Sequence, residues 1–362
     1  MADGKMRVGI IGMGVYAAFA HIPQLKALEQ IEITAISRRN PERLTMAQKA
    51  FDIPQSYTDW RKMLDQVSLD AVVVSTPHHL HYEPTIAALQ QGLHVLVEKP
   101  MALTSREAWA MVKAAEAAQR VLMVGYPSRL QGLWQTVKQT IASNTIGRVR
   151  QMSLSLTYYC GWTRETGGFP DDVQGIMEFM SKESGLPEGF FTDWGRGWRN
   201  EAAQMGGGTF VDNGTHHIDR MLWLAGAPAV ELVAMTDATP TSVERFVNVQ
   251  ARLANDVLFS LTSADAVPQN LMGGEQQLMI VGDEGIITDD SQGEIWLYHN
   301  EERKKLESQF RDRTVIEAFV DAILGNDLNY PQAFEGAYAV DFMEALYRSA
   351  AEHKIIRIKD ER

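Results

Sequence analysis

Short apolar runs alternate with amphipathic segments along the first third of the chain. The runs are rich in β-branched residues, as expected of strands buried on both faces of a parallel sheet. The predicted strands are 6–12, 31–37, 71–77, 94–100 and 121–126, and helical patterns lie at 41–51, 82–91 and 104–119. This repeated strand–helix alternation predicts a doubly wound parallel sheet.

The later part of the chain predicts a different sheet. Hairpin-length breaks separate segments of β-type composition at 148–160, 230–237, 245–253, 257–265, 276–282 and 294–299, which favours antiparallel strands. Amphipathic helical runs follow at 314–324 and 334–352. We therefore predict an α/β protein with a Rossmann dinucleotide-binding domain at 1–127 and a second α/β domain at 128–362. This prediction leaves open whether the C-terminal helix of the second domain packs back on the first domain.

Composition narrows the class of protein. The chain has 362 residues, 45% apolar and 22% charged, as expected of a two-domain globular protein. Its net charge of −12, without a Lys/Arg-rich run, argues against nucleic acid or a membrane as a partner. The single cysteine, Cys160, excludes an internal disulfide. The apolar runs are too short for a membrane span and the N-terminus does not fit a signal peptide, so a cytoplasmic enzyme is expected.

A glycine fingerprint follows the first predicted strand. Gly12, Gly14 and Ala17 match G-x-G-x-x-G/A. The first glycine permits a tight turn, the second lets backbone approach a pyrophosphate, and the third position must stay small for helix–strand packing. We expect Gly12, Met13, Gly14 and Ala17 to bind a dinucleotide whose pyrophosphate lies at the next helix N-terminus.

The end of the second predicted strand bears on the choice of cofactor. An NAD site places Asp or Glu there to accept hydrogen bonds from the ribose, whereas this chain has Ser37-Arg38-Arg39. Serine removes a carboxylate that would repel a 2′-phosphate, and arginine donates well to phosphate oxygens. NADP(H) is therefore favoured over NAD(H); the alternative is that both arginines are merely solvated.

The third predicted strand ends in STPHHLH, residues 75–81. Ligands of doubly wound sheets bind at the carboxyl edge of the strands, so we expect Ser75, Thr76, Pro77 and His81 to line the cofactor site. Three histidines on one loop also suggest a metal site. They have no acidic neighbour, so lining the pocket or capping the next helix is the preferred interpretation, and no metal is expected.

The stretch GGGTFVDNGTHHID, residues 206–219, is the second candidate site. Its acidic residues and His-His pair suggest either a metal site or an acid/base pair. Adjacent residues on a helix point about 100° apart, so His216 and His217 cannot both face one ion with Asp212. Asp212 and His216 are four residues apart and share a face, which favours an acid/base pair.

Four motifs in order resemble one family. GxGxxA, TP at 76–77, EKP at 98–100 and GGGxxxDxGxHxxD at 206–219 are similar to those of the glucose–fructose oxidoreductase / inositol dehydrogenase / MocA (GFO/IDH/MocA) family. The resemblance implies a Rossmann domain followed by a substrate-binding and oligomerisation α/β domain. That domain has a large, open, mostly antiparallel sheet whose outer face builds homodimers or homotetramers. It also implies metal-free hydride transfer between NAD(P) and a sugar, polyol or related compound.

The resemblance assigns catalytic roles to three residues. Lys99 of the EKP motif would touch both the nicotinamide ribose and the reacting oxygen of the substrate. His216 would be the acid/base, and Asp212 would assist it. Both residues would therefore also contact the substrate.

The resemblance further predicts binding residues. Thr76, Pro77 and Glu98 would line the cofactor groove. The chain departs from the family pattern where His78 replaces an asparagine after TP. It departs again where GYPSRL (125–130) replaces a GFNRRF-like segment, of which Arg129 matches and is expected to bind substrate.

A glycine- and aromatic-rich segment lies between Cys160 and Gly206. A loop of this length is usually functional, and aromatic faces beside arginine donors suit a hydroxylated ring. Trp162 and Arg164 are therefore expected to bind substrate; the alternative is that the tryptophans only pack the segment onto the sheet. The pair Trp198-Arg199 resembles a family WR segment near the nicotinamide and is expected to contact the cofactor.

The expected function is thus an NADP(H)-preferring oxidoreductase of a sugar, polyol or keto-sugar. One alternative is a glycosidase that retains its NAD(P) and cleaves by transient oxidation and elimination. A second alternative is a non-catalytic sensor that binds NADP and a partner protein.

Overall fold

The computed structural model describes residues 4–158, 198–238, 243–265, 275–327 and 329–359, together with 178, 180–182, 184–187 and 190. Trp162, Arg164 and Cys160, which the sequence singles out, lie outside the described residues. The chain forms two compact units. The first comprises Met1–Gly125, Gly161–Met205 and Thr314–Ala333, and the second comprises Tyr126–Cys160, Gly206–Arg313 and Phe334–Arg362.

In the described part of the first unit, six parallel strands form one sheet, in the order β3-β2-β1-β4-β5-β6. The strands are β1 (Met6–Ile11), β2 (Ile31–Ser37), β3 (Gln55–Tyr57), β4 (Ala71–Val74), β5 (His94–Val97) and β6 (Leu122–Val124). The sheet grows outward from β1 in both directions, and ligands of doubly wound sheets bind at this reversal of strand order. The predicted glycine loop, TP loop and EKP turn follow β1, β4 and β5.

The described helices, in chain order, are α1 (Ile22–Lys26), α2 (Pro41–Phe51), α3 (Trp60–Gln66), α4 (Tyr82–Gln90), α5 (Ser105–Ala118), α6 (Gly132–Ala142), α7 (Ala202–Met205), α8 (Thr209–Ala225), α9 (Val315–Leu324) and α10 (Ala333–Glu352). Polar side chains begin several of those in the first unit. Asn40 accepts a hydrogen bond from Arg43 N ahead of α2, and Thr314 forms a capping box with Glu317 on α9. These local signals explain why the helices start where the sequence pattern predicts.

Nine strands in the described part of the second unit form a large sheet, in the order β14-β13-β12-β11-β7-β10-β9-β8-β15. They are β7 (Val149–Tyr158), β8 (Ala229–Thr236), β9 (Phe246–Leu253), β10 (Leu258–Asp265), β11 (Glu275–Gly282), β12 (Gly285–Asp289), β13 (Ile295–His299), β14 (Glu302–Lys305) and β15 (Ile356–Arg357). Neighbouring strands are antiparallel except β7 and β10, which run parallel. The predicted fold class is thereby confirmed.

The core of the second unit lies on one face of this sheet. Residues of β9 alternate between exposed and buried, as period-two side chains of a half-buried strand do. Phe342 of α10 packs against Phe259 of β10 with ring centroids 5.9 Å apart, and Ala234 N donates to Ser349 Oγ. The long helix α10 therefore covers the apolar face of the sheet. Within the described residues, none of the helices combines the length and the apolarity needed to cross a membrane.

Candidate active site

The glycine loop after β1 is shaped by close contact with the TP loop. Gly12 has φ of +91°, and a Cβ there would lie 2.6 Å from the Ser75 carbonyl carbon, so only glycine fits. At Gly14 a Cβ would meet nothing nearer than 3.8 Å. Protein packing therefore does not require the second glycine, whereas close approach of a pyrophosphate does. Ala17 is fully buried, as the third position of the fingerprint demands.

Backbone hydrogen bonds fix the loop to the end of β2. The Ser37 carbonyl accepts from Gly12 N at 3.1 Å and from Met13 N at 2.8 Å. Arg38 donates from Nη1 to the Met13 carbonyl at 2.5 Å, and its guanidinium lies 4.7 Å from the Phe190 ring centroid. Burial lowers the pKa of Arg38 to about 10, so it stays charged at neutral pH. The residues that the sequence assigns to cofactor choice thus adjoin the glycine loop, and Arg39 is exposed.

The TP loop contacts the segment that contains Trp198. The buried His78 places Nδ1 3.0 Å from the Met205 carbonyl, and its ring meets the Trp198 ring edge-on with centroids 4.5 Å apart. The Arg199 guanidinium lies 4.3 Å from the centroid of the Trp198 ring. The structure therefore brings the WR pair to the loop after β4, and its role in cofactor binding stays a prediction. His78, which departs from the family pattern, mediates this contact.

His81 links the TP loop to the EKP turn. Its ring is buried, with Nδ1 2.8 Å from the Pro100 carbonyl and Nε2 2.8 Å from the Thr76 carbonyl. Both ring nitrogens thus face protein acceptors. Among the described residues, moreover, no group of three His, Cys, Asp or Glu side chains is arranged to hold a metal ion.

The glutamate of the EKP motif is held from two sides. Glu98 Oε1 lies 2.9 Å from His21 Nε2, and Glu98 Oε2 accepts from Lys99 N at 3.3 Å. A Cβ at Gly125 would lie 2.9 Å from Glu98 Oε1, so the carboxylate packs directly on the end of the neighbouring strand. These contacts hold the turn from which the half-buried Lys99 projects at the carboxyl end of β5.

Asp212 and His216 lie on α8 in the second unit. Asp212 is buried in the first turn and His216 follows one turn later, half-buried. The Tyr126 ring approaches the His216 ring edge-on with centroids 6.1 Å apart, and Tyr126 Oη lies 3.0 Å from Thr215 Oγ1. Tyr126, which sequence reasoning does not identify, therefore packs directly against the predicted acid/base.

Arg129 forms a buried ion pair within the same unit. Its Nε and Nη2 donate to Asp219 at 2.8 and 2.6 Å, and Nη1 lies 2.6 Å from Glu335 Oε1. Burial alone would lower the pKa of Arg129, but the two carboxylates outweigh it and raise that pKa. Burial raises the pKa of Asp219 to about 6 against the opposing effect of Arg129, so the pair is ionic at neutral pH. These contacts make Arg129 a brace for α8, and its predicted role in substrate binding stays a prediction.

His217 has contacts different from those of His216. Its Nδ1 lies 3.1 Å from Arg220 Nη2, and Arg220 also contacts Gln276. Burial, with the nearby Arg220, lowers the pKa of His217 to about 3, so the ring is neutral at physiological pH. The two adjacent histidines of α8 therefore have different surroundings, as the helical geometry predicts.

Several contacts at the candidate site have no signal in the sequence. His21 lies in a π-helical turn at Ala17–His21 after the glycine loop, a backbone irregularity that no residue pattern announces. Glu335 reaches Arg129 from α10, far along the chain. Such partners depend on the tertiary fold, and only the glycines that make room for some of them are visible in the sequence.

Two models of one family match most of the chain. The model described as oxidoreductase family, NAD-binding Rossmann fold, matches residues 6–126, and the GFO/IDH/MocA C-terminal domain matches residues 134–288. Both matches agree with the two sheets described above.

Curated proteins and solved structures give the same result. The chain is 29% identical over 231 residues to levoglucosan dehydrogenase of Pseudarthrobacter phenanthrenivorans, covering 61% of this chain and 52% of that protein. It is 27% identical over 223 residues to scyllo-inositol 2-dehydrogenase (NADP(+)) IolW of Bacillus subtilis, covering 62% and 52%. The chain thus spans about half the length of these curated relatives. The fold is similar to that of the WlbA dehydrogenase of Bordetella pertussis in complex with NADH and UDP-GlcNAcA, with a TM-score of 0.78, 24% identity and coverage of 99% and 100%.

Proposed function

Since the chain belongs to the GFO/IDH/MocA oxidoreductase family, we propose that it is an NADP(H)-preferring oxidoreductase. Its substrate is a secondary alcohol or carbonyl of a sugar, polyol or keto-sugar. The observation that carries the proposal is the placement of Asp212 and His216 one turn apart on α8, in a chain that presents Lys99 after β5. The named relatives act on levoglucosan and scyllo-inositol, which supports a polyhydroxylated substrate.

Lys99, His216 and Asp212 have different roles at the reacting oxygen of the substrate. When bound, the nicotinamide exchanges a hydride with the substrate carbon through its C4 position. In the reducing direction, Lys99 stabilises the negative charge that develops on the carbonyl oxygen. His216 supplies the proton that makes this oxygen a hydroxyl, and Asp212 orients or charges the imidazole. Oxidation uses the same groups in reverse, with His216 taking the proton.

The test compares variants of these residues on a panel of sugars, polyols and keto-sugars, followed by nicotinamide absorbance. Lys99→Met and His216→Ala should lower kcat by at least about 10²-fold while cofactor binding is retained. His217→Ala is the matched control, because its described contact is with Arg220, and it should keep kcat within a few-fold of the wild type. Near-normal turnover in both site variants would refute the roles. Glycoside cleavage without net absorbance change would identify the retained-cofactor glycosidase instead.

NADP(H) is the proposed cofactor because of the residues that follow β2. Ser37 puts no carboxylate at the strand end, and Arg38 is held beside the glycine loop by its bond to the Met13 carbonyl. A guanidinium in this place suits a 2′-phosphate. One of the named relatives is an NADP(+) enzyme, which supports this preference.

Ser37→Asp tests the preference directly. A carboxylate at this strand end should repel the 2′-phosphate and accept from the ribose, shifting the ratio of kcat/KM toward NAD(H). Arg39→Ala should weaken NADP(H) more than NAD(H), because it removes a positive charge that would attract the 2′-phosphate. An unchanged ratio in folded Ser37→Asp would refute the assignment, and its far-UV circular dichroism checks that the buried substitution is tolerated.

A homodimer or homotetramer through the open face of the nine-stranded sheet completes the proposal. Small polar side chains lie at its centre, where Thr262 Oγ1 lies 3.0 Å from Ser155 Oγ. Exposed apolar residues, including Leu258, Met279 and Tyr298, surround them. Such a face suits self-association. Thr262→Arg should lower the molar mass measured by light scattering; a wild-type monomer would contradict the proposal.

A further inference from the structure

The helix that carries Asp212 and His216 begins without a capping side chain of its own. Its N-cap residue is Gly208, which has no side chain to accept from the first helical N–H groups. Thr209 and Phe210 are fully buried, so their N–H groups need protein acceptors. The start of α8 therefore depends on residues from elsewhere in the chain.

Glu244 supplies these acceptors. Its backbone carbonyl accepts from Thr209 Oγ1 at 3.0 Å and from Thr209 N at 3.4 Å. Its carboxylate Oε1 accepts from Phe210 N at 2.9 Å. The residue is 1% exposed, so no water competes for the carboxylate. Glu244 thus does the work of a capping side chain from 34 residues away along the chain.

Tyr347 of α10 holds the Glu244 carboxylate in place. Tyr347 Oη donates to Glu244 Oε1 at 2.8 Å and accepts from Gly208 N at 3.3 Å. The same hydroxyl therefore contacts both the capping carboxylate and the backbone that enters α8. Phe210 N and Tyr347 Oη together fix where the carboxylate lies.

Two glycines of the GGG motif are required by this arrangement. A Cβ on Gly208 would overlap Glu244 Oε2, and a Cβ on Gly207 would overlap the Tyr347 ring. Because both neighbours are held by hydrogen bonds, neither can withdraw without loss of the cap. The glycines thus make room for Glu244 and Tyr347 at the start of the helix.

We infer that Glu244 is a positioning residue for the proposed reaction: its carboxylate, held by Tyr347, fixes the first turn of α8 and thereby Asp212 and His216. The inference rests on the proposed function, since it concerns the residues assigned there to proton transfer. Glu244 acts through the helix backbone, and Asp212 lies in the turn that it caps.

The first test separates the capping acceptor from general stability. Glu244→Ala removes the acceptor and should lower kcat at least about 10-fold in folded protein, because small misplacements of reacting groups have large effects on rate. The cofactor Kd should stay within about twofold, since that site is built from other residues. Glu244→Gln keeps an oxygen for Phe210 N and should stay within about threefold of wild-type kcat. Tyr347→Phe should fall between the two.

Hydrogen exchange at residues 206–216 gives a readout that needs no activity. Glu244→Ala should speed exchange there about 10-fold or more, and Glu244→Gln should be protected at least as well as the wild type. Thr314→Ala is the control: it removes the cap of α9, which carries no site residue, and should lower stability without lowering kcat.

The inference is overturned if Glu244→Ala keeps both kcat and exchange protection. It is also overturned if Glu244→Gln loses as much as Glu244→Ala, or if Thr314→Ala lowers kcat equally. If the folded wild type transfers no hydride, the proposed function is refuted but the capping role of Glu244 is not. The hydrogen-exchange comparison of the Glu244 variants then tests that role.

Discussion

Replacing Arg129 by methionine should test how firmly its buried ion pair holds α8. The substitution keeps an apolar stem but leaves the Asp219 carboxylate without its two guanidinium donors. The side chain of Asp219 is 0% exposed, so water cannot replace those donors without opening the fold. Asp219 lies on the same helix as His216, so the loss of its partner should destabilise α8 directly.

The magnitude follows from the burial of both partners. Breaking a buried, hydrogen-bonded ion pair at one end costs about 3–5 kcal/mol, most of it the cost of an uncompensated charge. Arg129→Met/Asp219→Leu removes both charges. It leaves Glu335, whose side chain is 23% exposed and can be hydrated. We therefore expect the double variant to lose only about 2 kcal/mol, less than Arg129→Met alone.

The assay is urea unfolding of the wild type, both single variants and the double variant, followed by fluorescence and circular dichroism. The free energies of unfolding form a cycle whose coupling term should be at least about 1–3 kcal/mol, the margin by which the loss of Arg129→Met alone exceeds that of the double variant. The deficit of Arg129→Met should shrink as pH falls from about 8 to about 6, because the carboxyl that has lost Arg129 has a pKa above that of the paired one and takes up a proton in this window. If the single variants add up to the double variant within about 0.5 kcal/mol, the pair is not coupled and the reasoning fails.

Two other substitutions on or near α8 should change stability. Burial raises the pKa of Glu244 from 4.5 to about 7, although Phe210 N and Tyr347 oppose it. Its contribution to stability is therefore complete below about pH 4.5 and is lost as pH rises to about 7, by up to about 3 kcal/mol. Glu244→Gln lacks this loss, so urea midpoints of the two proteins should diverge across that window; parallel curves would contradict the assignment. Gly214→Ala gains about 1 kcal/mol of helix propensity. Its Cβ would overlap the immobile Phe210 ring, however, and overpacking costs about 1–3 kcal/mol, so a net loss is expected; a higher melting temperature would refute it.

The pattern of apolar residues predicts those strands and helices whose buried side chains recur at a regular spacing. The strand predicted at 31–37 spans Ile31–Ser37, and the strand predicted at 245–253 spans Phe246–Leu253. Edge strand β14 has a neighbour on one side only, a position where charged side chains are tolerated, and it reads ERKK without an apolar pattern. It is absent from the sequence prediction for that reason.

The candidate site likewise contains residues that the sequence pattern predicts and partners that only the tertiary fold brings together. Helical spacing alone puts Asp212 and His216 on one face of a helix, and the helix extends from Thr209 to Ala225. Partners such as Glu244 and Tyr347 lie far along the chain from α8 and follow from sheet pairing and helix packing. Their only trace in the sequence is the run of glycines that leaves them room.

The edge of the parallel sheet gains its partners long after β6 has been synthesised. The edge strand β6 contacts residues much further along the chain: Val124 N donates to the Pro331 carbonyl, and Met123 bridges to Gln332. About 200 residues separate these partners, so at ordinary translation rates the edge stays unpaired for roughly 10–40 s on the ribosome. An unpaired strand edge is a template for intermolecular pairing. A fragment cut after residue 127 would keep all six described strands of this sheet and still carry that open edge. The first unit therefore needs residues from much further along the chain to cover its edge strand.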